Sequence, residues 1–577
     1  MSGLGRLTGA GALVVLGAGC AVPSVTPDAP STRLAKIAAE YSARSKARAE
    51  QVSERSFREV QREADSAGAL LARLDAIPEA GLTHDEVLTR EVLRWEAGKS
   101  IQDTLLYWYS FDALPALSPM RAIAPVLAAK TISTASDREE YLAVLARAGA
   151  AFGAVRDKME AQAGRGILMP AETIDASVSY LRSLVKPGLG GPFVPPGARL
   201  AALPAAERAG FETQLITTIE AAVNPAITTL AGYVDRTARL TAAGGVGPWQ
   251  YPGGTEAYRQ MVKRETTLDI SPEEIHRIAL AAMDTLEVRM KAVRDSLGFR
   301  GTKAEFHEQL RRDPRFYVSV PDSVGRRLMQ YAERIEPVLS RAFAGRPKAP
   351  YGARRLDPTL EPSMTYGYYT WPLGDDPKGY YFFNGSDLDQ RSLLVIGAIS
   401  FHELIPGHHY QIMLQRENQA LPPFRRAVYY AGYGEGWGEY VSSVVAAELG
   451  MYRDGYEIYG RYVFDAFFIA RLIVDTGMNL YGWPRSRAVA YMKDHTLESD
   501  VQIESETLRY SARSPAQALA YRMGRETIVR LRTKAERALG TRFDLRRFHE
   551  AVLSPGSLPL FLLERHIDWW IAGERNR

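Results

Sequence analysis

Apolar residues recur every three or four positions along most of the chain, which is the spacing of one face of an α-helix. The segment after Ser271 is typical, with apolar residues at Ile275, Ile278, Ala279, Ala282 and Leu286. Four Ser/Thr-x-x-Glu boxes mark helix starts, namely Thr83 with Glu86, Ser136 with Glu139, Ser271 with Glu274, and Thr302 with Glu305. The pattern predicts a mainly α fold in which helices follow one another.

The pattern changes near residue 350, where aromatic residues replace the helical spacing. Residues 364–371 and 379–384 are rich in tyrosine and phenylalanine, and the turn-like segment 372–377 separates them. Two β-prone segments in this order predict one small hairpin or edge strand. Helical spacing returns at about Gln390, so we expect a large multi-helix body with a small β-hairpin or sheet beside a cleft.

This change suggests two regions within one continuous body. The first is a helical N-terminal region, residues 34–345, and the second, residues 346–577, carries the candidate chemistry. Proline- and glycine-rich breaks at 187–197 and 244–254 separate blocks of helices without clearly marking independent domains.

The first 19 residues have the pattern of an export signal. Arg6 precedes a short apolar stretch, and Cys20 follows directly in a context that resembles the signal of bacterial lipoproteins. Residues 20–33 contain three prolines and predict a flexible tether. We therefore expect a lipid on Cys20 that anchors the protein in the bacterial cell envelope, on the periplasmic side in a Gram-negative cell. The alternative is an unprocessed N-terminus with an incidental cysteine.

Composition and charge exclude several classes of function. The 577 residues are 46% hydrophobic, which is enough for a large buried core. The 71 basic and 67 acidic residues give a net charge of +4, so no nucleic-acid partner is predicted. Cys20 is the one cysteine in the sequence, which excludes intramolecular disulfides and thiolate-rich metal sites.

Three of the nine histidines lie within eight residues, at His402, His408 and His409, and Glu403 follows the first of them. Zinc in hydrolytic sites is bound by neutral imidazole and carboxylate groups, with one position left for water. The pair His402-Glu403 begins the H-E-x-x-H arrangement of zinc peptidases, but Pro406 stands where the second histidine would be.

A regular helix would not bring these histidines together. Residue 408 would be rotated by about 240° from residue 402, and residue 409 would return to the same face about 10 Å along the axis. Pro406 interrupts the helical hydrogen bonds and Gly407 has wide backbone freedom, so a bulge could place His408 where an i+4 histidine would be. His408 and His409 both stay open as ligands, and the alternative is a capped helix end with solvent-facing histidines.

Two glutamates further along the chain complete the candidate site. Glu435 and Glu439 are four residues apart and share one face of a helix. One of them could be the third ligand while the other orients a histidine. The alternative is an exposed acidic helix face. The glycines around Glu435 permit close packing of another helix.

Three motifs resemble those of a bacterial family catalogued as domain of unknown function number 885. They are residues 402–411, residues 435–437, and Arg509-Tyr510 followed by Pro515-x-Gln517-Ala518-x-x-Tyr521. The family resembles the thermolysin-like gluzincin zinc peptidases and, more loosely, the helical oligopeptidases and carboxypeptidases. Two positions depart from its pattern, since Gly438-Glu439 follows Trp437 and Ala516 replaces a glycine. Glu439 therefore leaves the assignment of Glu435 open.

The resemblance implies a role for each matching residue. The implied ligands of a single zinc ion are His402, His408 and Glu435. The implied catalytic residues are Glu403 as general base, and Tyr521 and Tyr510 as donors to the oxyanion. The alternative ligands or outer partners are His409, Glu439 and Gln411, and the expected substrate-binding residues are Tyr381, Asn384 and Arg509. The tyrosines at 510 and 521 could equally be core aromatics.

These features together predict a zinc-dependent hydrolase of peptides at the cell envelope. The aromatic strand near Tyr381 could align a peptide as an added strand, although an ordinary packed hairpin is the simpler interpretation. Three alternatives remain. They are a non-catalytic lipoprotein that binds peptides or cell-wall fragments, a metallohydrolase of another amide such as a peptidoglycan stem peptide, and a helical scaffold at the envelope.

Overall fold

The computed structural model describes residues 29–358, 361, 364, 366–374 and 376–576. The predicted signal peptide and Cys20 lie outside the described residues. Ala29 precedes the first helix, which begins at Pro30. The predicted tether, residues 20–33, therefore extends too far, because its last four residues are helical.

The described chain is mainly α, as predicted. In the N-terminal half the helices are α1 (Pro30–Ala49), α2 (Phe57–Asp75), α3 (His84–Leu106), α4 (Met120–Ala129), α5 (Ala135–Ala163), α6 (Ile174–Leu184), α7 (Gly197–Ala201), α8 (Ala205–Thr218), α9 (Asn224–Tyr233), α10 (Arg239–Thr241), α11 (Gly254–Thr266), α12 (Pro272–Ser296), α13 (Lys303–Arg312) and α14 (Pro321–Ile335). In the C-terminal half they are α15 (Ile396–Glu403), α16 (His408–Glu417), α17 (Ala431–Tyr440), α18 (Ala446–Glu448), α19 (Gly455–Asn479), α20 (Arg485–His495), α21 (Asp500–Leu508), α22 (Leu519–Leu539), α23 (Leu545–Leu553) and α24 (Leu560–Arg575).

Shorter helical segments join several of these elements. Four π-helical turns continue a preceding α-helix, at Ile219–Val223, Val234–Ala238, Val441–Val445 and Arg509–Arg513. Short 3-10 helices lie at Tyr107–Tyr109, Ala171–Thr173, Pro248–Gln250, Pro314–Phe316, Glu336–Arg341, Leu393–Val395 and Gly540–Arg542.

Three of the four predicted helix starts are confirmed. The side chains of Thr83, Ser271 and Thr302 each accept a hydrogen bond from the backbone N–H three residues later. The start at Ser136 is wrong, because α5 begins two residues earlier with Thr134 as its cap. Asp137 closes that capping box as Glu86 and Glu305 do at their helices, so a second capping signal stood two residues before the predicted one.

The aromatic segments form a small sheet of three strands, β1 (Tyr351–Arg355), β2 (Gly367–Thr370) and β3 (Gly379–Phe383). Strands β2 and β3 are antiparallel, which confirms the predicted hairpin, and β1 pairs with β3 in parallel on its other side. Strand β1 was not predicted, because Tyr-Gly-Ala-Arg-Arg lacks the apolar alternation of a half-buried strand.

Two hydrophobic cores divide the structure at a place different from the predicted boundary at 345/346. The smaller core is built almost entirely from residues between Phe111 and Tyr251. The larger core joins α1–α3 and α11–α14 to the C-terminal helices. The break at 244–254 therefore lies where the smaller core ends. Residues on both sides of position 345, such as Phe343 and Tyr381, belong to the larger core, so the change from helix to strand there occurs within one packed body.

Glycines bring α17 and α22 into direct backbone contact. A Cβ atom on Gly524 would lie 1.9 Å from the carbonyl oxygen of Gly432, and one on Gly436 would lie 2.5 Å from the backbone of Gly524. Side chains at these positions would hold the helices apart. This contact matters for the site, because α17 carries Glu435 and α22 carries Tyr521.

We predict that Gly524→Ala lowers the midpoint of urea-induced unfolding, by an amount that corresponds to about 1–3 kcal/mol, because the added methyl group has no space. Gly153→Ala in α5 is the matched control, since a Cβ atom added there would have no other atom within 4 Å. That control should be neutral or stabilising by up to about 1 kcal/mol. Equal midpoints for Gly524→Ala and wild type would contradict the steric argument.

Candidate metal centre

The chain breaks between His402 and His408 instead of forming the expected bulge. Helix α15 ends at Glu403, and α16 begins at His408. Leu404 leaves the helical region with φ −100° and ψ −103°, and the Ile405–Pro406 peptide bond is cis. A Cβ on Gly407 would lie 1.8 Å from the carbonyl oxygen of His402, so this tight turn needs glycine there.

The break brings three candidate ligands to one point. Nε2 of His408 lies 3.1 Å from Oε2 of Glu435, and Nε2 of His402 lies 3.5 Å from the same oxygen. One ligand atom from each residue lies within 4.8 Å of the other two. Ligands bound at 2.0–2.2 Å to a tetrahedral zinc ion are separated by about 3.3–3.6 Å. Two imidazoles and a carboxylate at these distances fit a zinc-type divalent metal ion.

The two alternative ligands lie elsewhere. His409 faces the sheet, where its Nε2 donates to the Ala349 carbonyl (3.0 Å) and its Nδ1 accepts from the Tyr369 hydroxyl (2.9 Å). Both ring nitrogens are therefore occupied, and burial lowers the pKa of His409 to about 4. Gln411 is not one of the three converging residues, and its amide donates to the side chain of Gln415 (3.0 Å).

Glu439 contacts the ring nitrogen of His402 that faces away from the other candidate ligands. Its Oε1 is 3.3 Å from Nδ1 of His402, whose Nε2 faces Glu435. The carboxyl group is fully buried, and burial raises the pKa of Glu439. A carboxylate on the far nitrogen fixes the ring orientation of a metal-binding histidine. One helix turn separates Glu435 from Glu439, so the imidazole of His402 lies between the two.

Tyr429 holds Glu435 from the other side, and no sequence motif marked it. Its hydroxyl donates to Oε1 of Glu435 at 2.9 Å, which leaves Oε2 directed at the histidines. Burial opposes the ionised form of Glu435, but His408 and His402 outweigh it and hold the pKa of this carboxyl well below its ordinary value. This shift favours the ionised form of Glu435, which is the form that binds a metal ion.

Glu403 lines the cleft beside the ligands without being one of them. Its Oε2 is buried and has no hydrogen-bond partner among the described residues. Burial raises the pKa of Glu403 above the ordinary value. A carboxylate with a raised pKa and a free oxygen at the cleft can accept and return a proton.

The ligands open onto a cleft of about 490 Å³. Tyr521 lines this cleft, with its ring 6.2 Å from that of His402 and 5.0 Å from that of Phe468. Arg509 also lines the cleft. Tyr510 does not, because it is fully buried and its hydroxyl donates to Glu506.

Two predicted substrate-binding residues lie outside this cleft. Tyr381 and Asn384 border a separate small cavity beside β3, and both are buried. The Asn384 amide donates to the backbone carbonyls of Glu361 (2.8 Å) and Met364 (2.7 Å), which is a structural role. The sheet reaches the cleft through β2 instead, at Tyr368 and Tyr369.

Arg471 is a cleft residue that the motifs did not reveal. It lies in α19 among apolar residues, between Phe467-Phe468-Ile469-Ala470 and Leu472-Ile473-Val474. A charged residue within so apolar a stretch of helix is itself a signal, because burying it is costly unless it has a partner. It is 3% exposed and lines the cleft.

Comparisons with known proteins place this architecture among bacterial proteins. A "putative lipoprotein" from Colwellia psychrerythraea has a similar structure, with a TM-score of 0.82 and 23% identity over 94% of this chain and 100% of its own. A "putative lipoprotein of unknown function" from Shewanella oneidensis is also similar, with a TM-score of 0.70 and 19% identity over 92% of this chain and 96% of its own. Among curated proteins, none matches.

The likeness to these two structures concerns the fold. A family model matches residues 38–567, which include the ligands, Glu403 and Tyr521. On that match, the chain belongs to the family described as bacterial protein of unknown function (DUF885).

Proposed function

We propose that this protein is a zinc-dependent hydrolase of peptide bonds. The observation that carries the proposal is the convergence of His402, His408 and Glu435 at one point, with the unpartnered Oε2 of Glu403 beside them on one cleft. A zinc ion there would lower the pKa of a bound water and polarise a carbonyl group.

The side chains around the ligands suit the remaining steps. Glu403 takes a proton from the attacking water and returns it to the leaving amine. Tyr521 borders the same cleft and can donate its hydroxyl hydrogen to the oxygen that becomes negative. Tyr510 donates to Glu506, so we assign it to holding that carboxylate and not to the oxyanion.

We further propose that the protein acts at the cell envelope through a lipid on Cys20. The support is the lipoprotein-like signal in residues 1–20 and the description of both similar structures as lipoproteins. Within the described residues, no helix has both the length and the apolarity needed to cross a bilayer.

The first prediction concerns the metal. Protein loaded with zinc and then desalted should contain one zinc per chain, measured by elemental analysis. His408→Ala and Glu435→Gln should each reduce the content to near zero, because each removes one of three ligands. His409→Ala is the matched control and should retain zinc, since its ring bonds to Ala349 and Tyr369. Loss of zinc in His409→Ala with retention in His408→Ala would overturn the ligand set.

The second prediction concerns the base. Glu403→Gln should keep stoichiometric zinc and lose about 10²–10⁴-fold in kcat for peptide hydrolysis, because it removes the proton acceptor and leaves the shape of the side chain. A library of short peptides, digested with and without chelator and read by mass spectrometry, supplies the substrate. Wild-type rates in zinc-loaded Glu403→Gln would show that this residue is not the base.

The third prediction concerns the oxyanion. Tyr521→Phe should lower kcat by roughly 10²–10³-fold with little change in KM, because the hydroxyl acts mainly on charge that develops in the transition state. Tyr369→Phe serves as a comparison, since its hydroxyl at the same cleft bonds to His409. An equal fall in kcat for both variants would argue against a specific role of Tyr521.

A further inference from the structure

One wall of the cleft carries more positively charged side chains than carboxylates to neutralise them. Arg471, Arg509 and Arg513 all line it, and Glu506 is the carboxylate that lines the cleft beside them. Glu506 accepts hydrogen bonds from Tyr510 and from Nη2 of Arg509 (3.1 Å). The other carboxylates lining the cleft in the described part of the chain are Glu403 and Glu435, which belong to the metal centre.

Arg471 is the central member of this group. Its Nε and Nη2 are buried and have no hydrogen-bond partner among the described residues, although Nε lies 3.7 Å from Glu506. Its guanidinium lies 4.3 Å from the ring centre of Tyr521. Aromatic faces attract a cation but do not satisfy its N–H groups. A buried guanidinium that lacks full hydrogen bonding favours binding of an anion at this wall.

The carboxyl groups behind this wall do not remove the excess charge. Glu498 accepts a hydrogen bond from Tyr366, and burial raises its pKa to about 7. Asp475, one turn after Arg471, accepts from Tyr258, Asn479 and the backbone of Ala516. Both are committed to partners in the protein interior.

The ring of Tyr521 lies between this wall and the candidate metal ligands. The Tyr521 ring lies 6.2 Å from that of His402 and 4.3 Å from the guanidinium of Arg471. An extended peptide advances about 3.3–3.6 Å per residue. An anion on the arginines would thus be one or two residues away from a peptide bond at the ligands.

We propose that Arg471, Arg509 and Arg513 bind the free C-terminal carboxylate of a peptide, so that the enzyme removes one or two residues from the C-terminus. This inference rests on the proposed hydrolase function and specifies its substrate class. In the reaction, water adds to the carbonyl carbon, the C–N bond breaks, and the released amine takes the proton from Glu403. The carboxylate bound by the arginines belongs to the short C-terminal product, which then dissociates.

Matched peptides that differ at one end test this directly. Each sequence is made with a free C-terminal carboxylate, with a C-terminal amide, and with an acetylated N-terminus. With the zinc-loaded protein, amidation should lower kcat/KM about 10- to 100-fold, the effect of losing a charged hydrogen-bonded partner. Acetylation should have little effect, and mass spectrometry should show release of one or two C-terminal residues. Equal rates for acid and amide, or cleavage in the middle, would overturn the proposal.

Binding separates this inference from the hydrolase function. Calorimetry with zinc-loaded Glu403→Gln should show tighter binding of the free-acid peptide than of its amide. If wild type hydrolyses none of the peptides but the acid still binds more tightly, the hydrolase proposal fails and the carboxylate site stands. If acid and amide bind equally, the carboxylate site fails whatever the activity.

Variants then assign the effect to the arginines. Arg471→Gln should bring the acid-to-amide ratio close to one, and the less buried Arg513→Gln should reduce it without threatening the fold. Arg426→Gln is the control. Arg426 also lines the cleft, but it comes from the segment after α16 and its Nη1 donates to Gln419 (2.7 Å), so this variant should leave the ratio unchanged. Circular dichroism and zinc content show which variants are folded. An unchanged ratio in folded Arg513→Gln and Arg471→Gln would refute the assignment.

Discussion

A metal ion accepts its ligands only at about 2 Å, so the proposed metal site requires that the chain break between residues 403 and 408. In one continuous helix, positions 402 and 408 would face different sides. The structure ends α15 at Glu403 and begins α16 at His408, with Gly407 against the carbonyl of His402. The same break leaves Glu403 at the end of a helix, next to the ligands but outside them, which is where a proton acceptor is useful.

The third ligand depends on packing and not on local sequence. Glu435 reaches the histidines because α17 lies against α22 without intervening side chains, at Gly432, Gly436 and Gly524. Gly438 serves a similar purpose, since a Cβ there would lie 2.7 Å from the ring of His402. Tyr521 is three residues before Gly524, so the contact that positions the ligand also positions the hydroxyl at the cleft. Ligand and hydrogen-bond donor are therefore set by one helix crossing.

Much of the fold was predictable from local pattern, whereas the choice among neighbouring site residues was not. The helices and the β2–β3 hairpin have clear periodicities, and Thr83, Ser271 and Thr302 start helices as their spacing indicates. His408 and His409 are adjacent, so only contacts with the sheet distinguish them. Glu435 and Glu439 share a helix face, and only the position of the His402 ring separates their roles. Strand β1 forms because the edge of β3 is available to pair with it. Tyr429 precedes α17 and contacts Glu435 within it, and no sequence motif fixes the spacing between these two residues. Arg471 carried a signal that was available in principle, since a charge within the apolar stretch Phe467–Val474 is costly to bury unless it has a partner in the folded state.

The candidate metal centre and the arginine wall differ in the charges that they present to the same cleft. At one end, Glu403 and Glu435 stand with the histidines and would balance a divalent cation. On the wall near Tyr521, Arg471, Arg509 and Arg513 lie with one carboxylate, Glu506, while Arg416 and Arg426 line the cleft from the segments at and after the end of α16. The ring of Tyr521 lies 6.2 Å from that of His402 and 4.3 Å from the guanidinium of Arg471, so it stands between the two groups. On the proposal that the arginines bind a C-terminal carboxylate, a peptide whose only negative group is its C-terminus would be stabilised in one orientation and repelled in the other, because reversal would place its ammonium group on the arginines. Under this proposal, charge alone would favour a fixed direction of peptide binding before any side chain of the peptide is recognised.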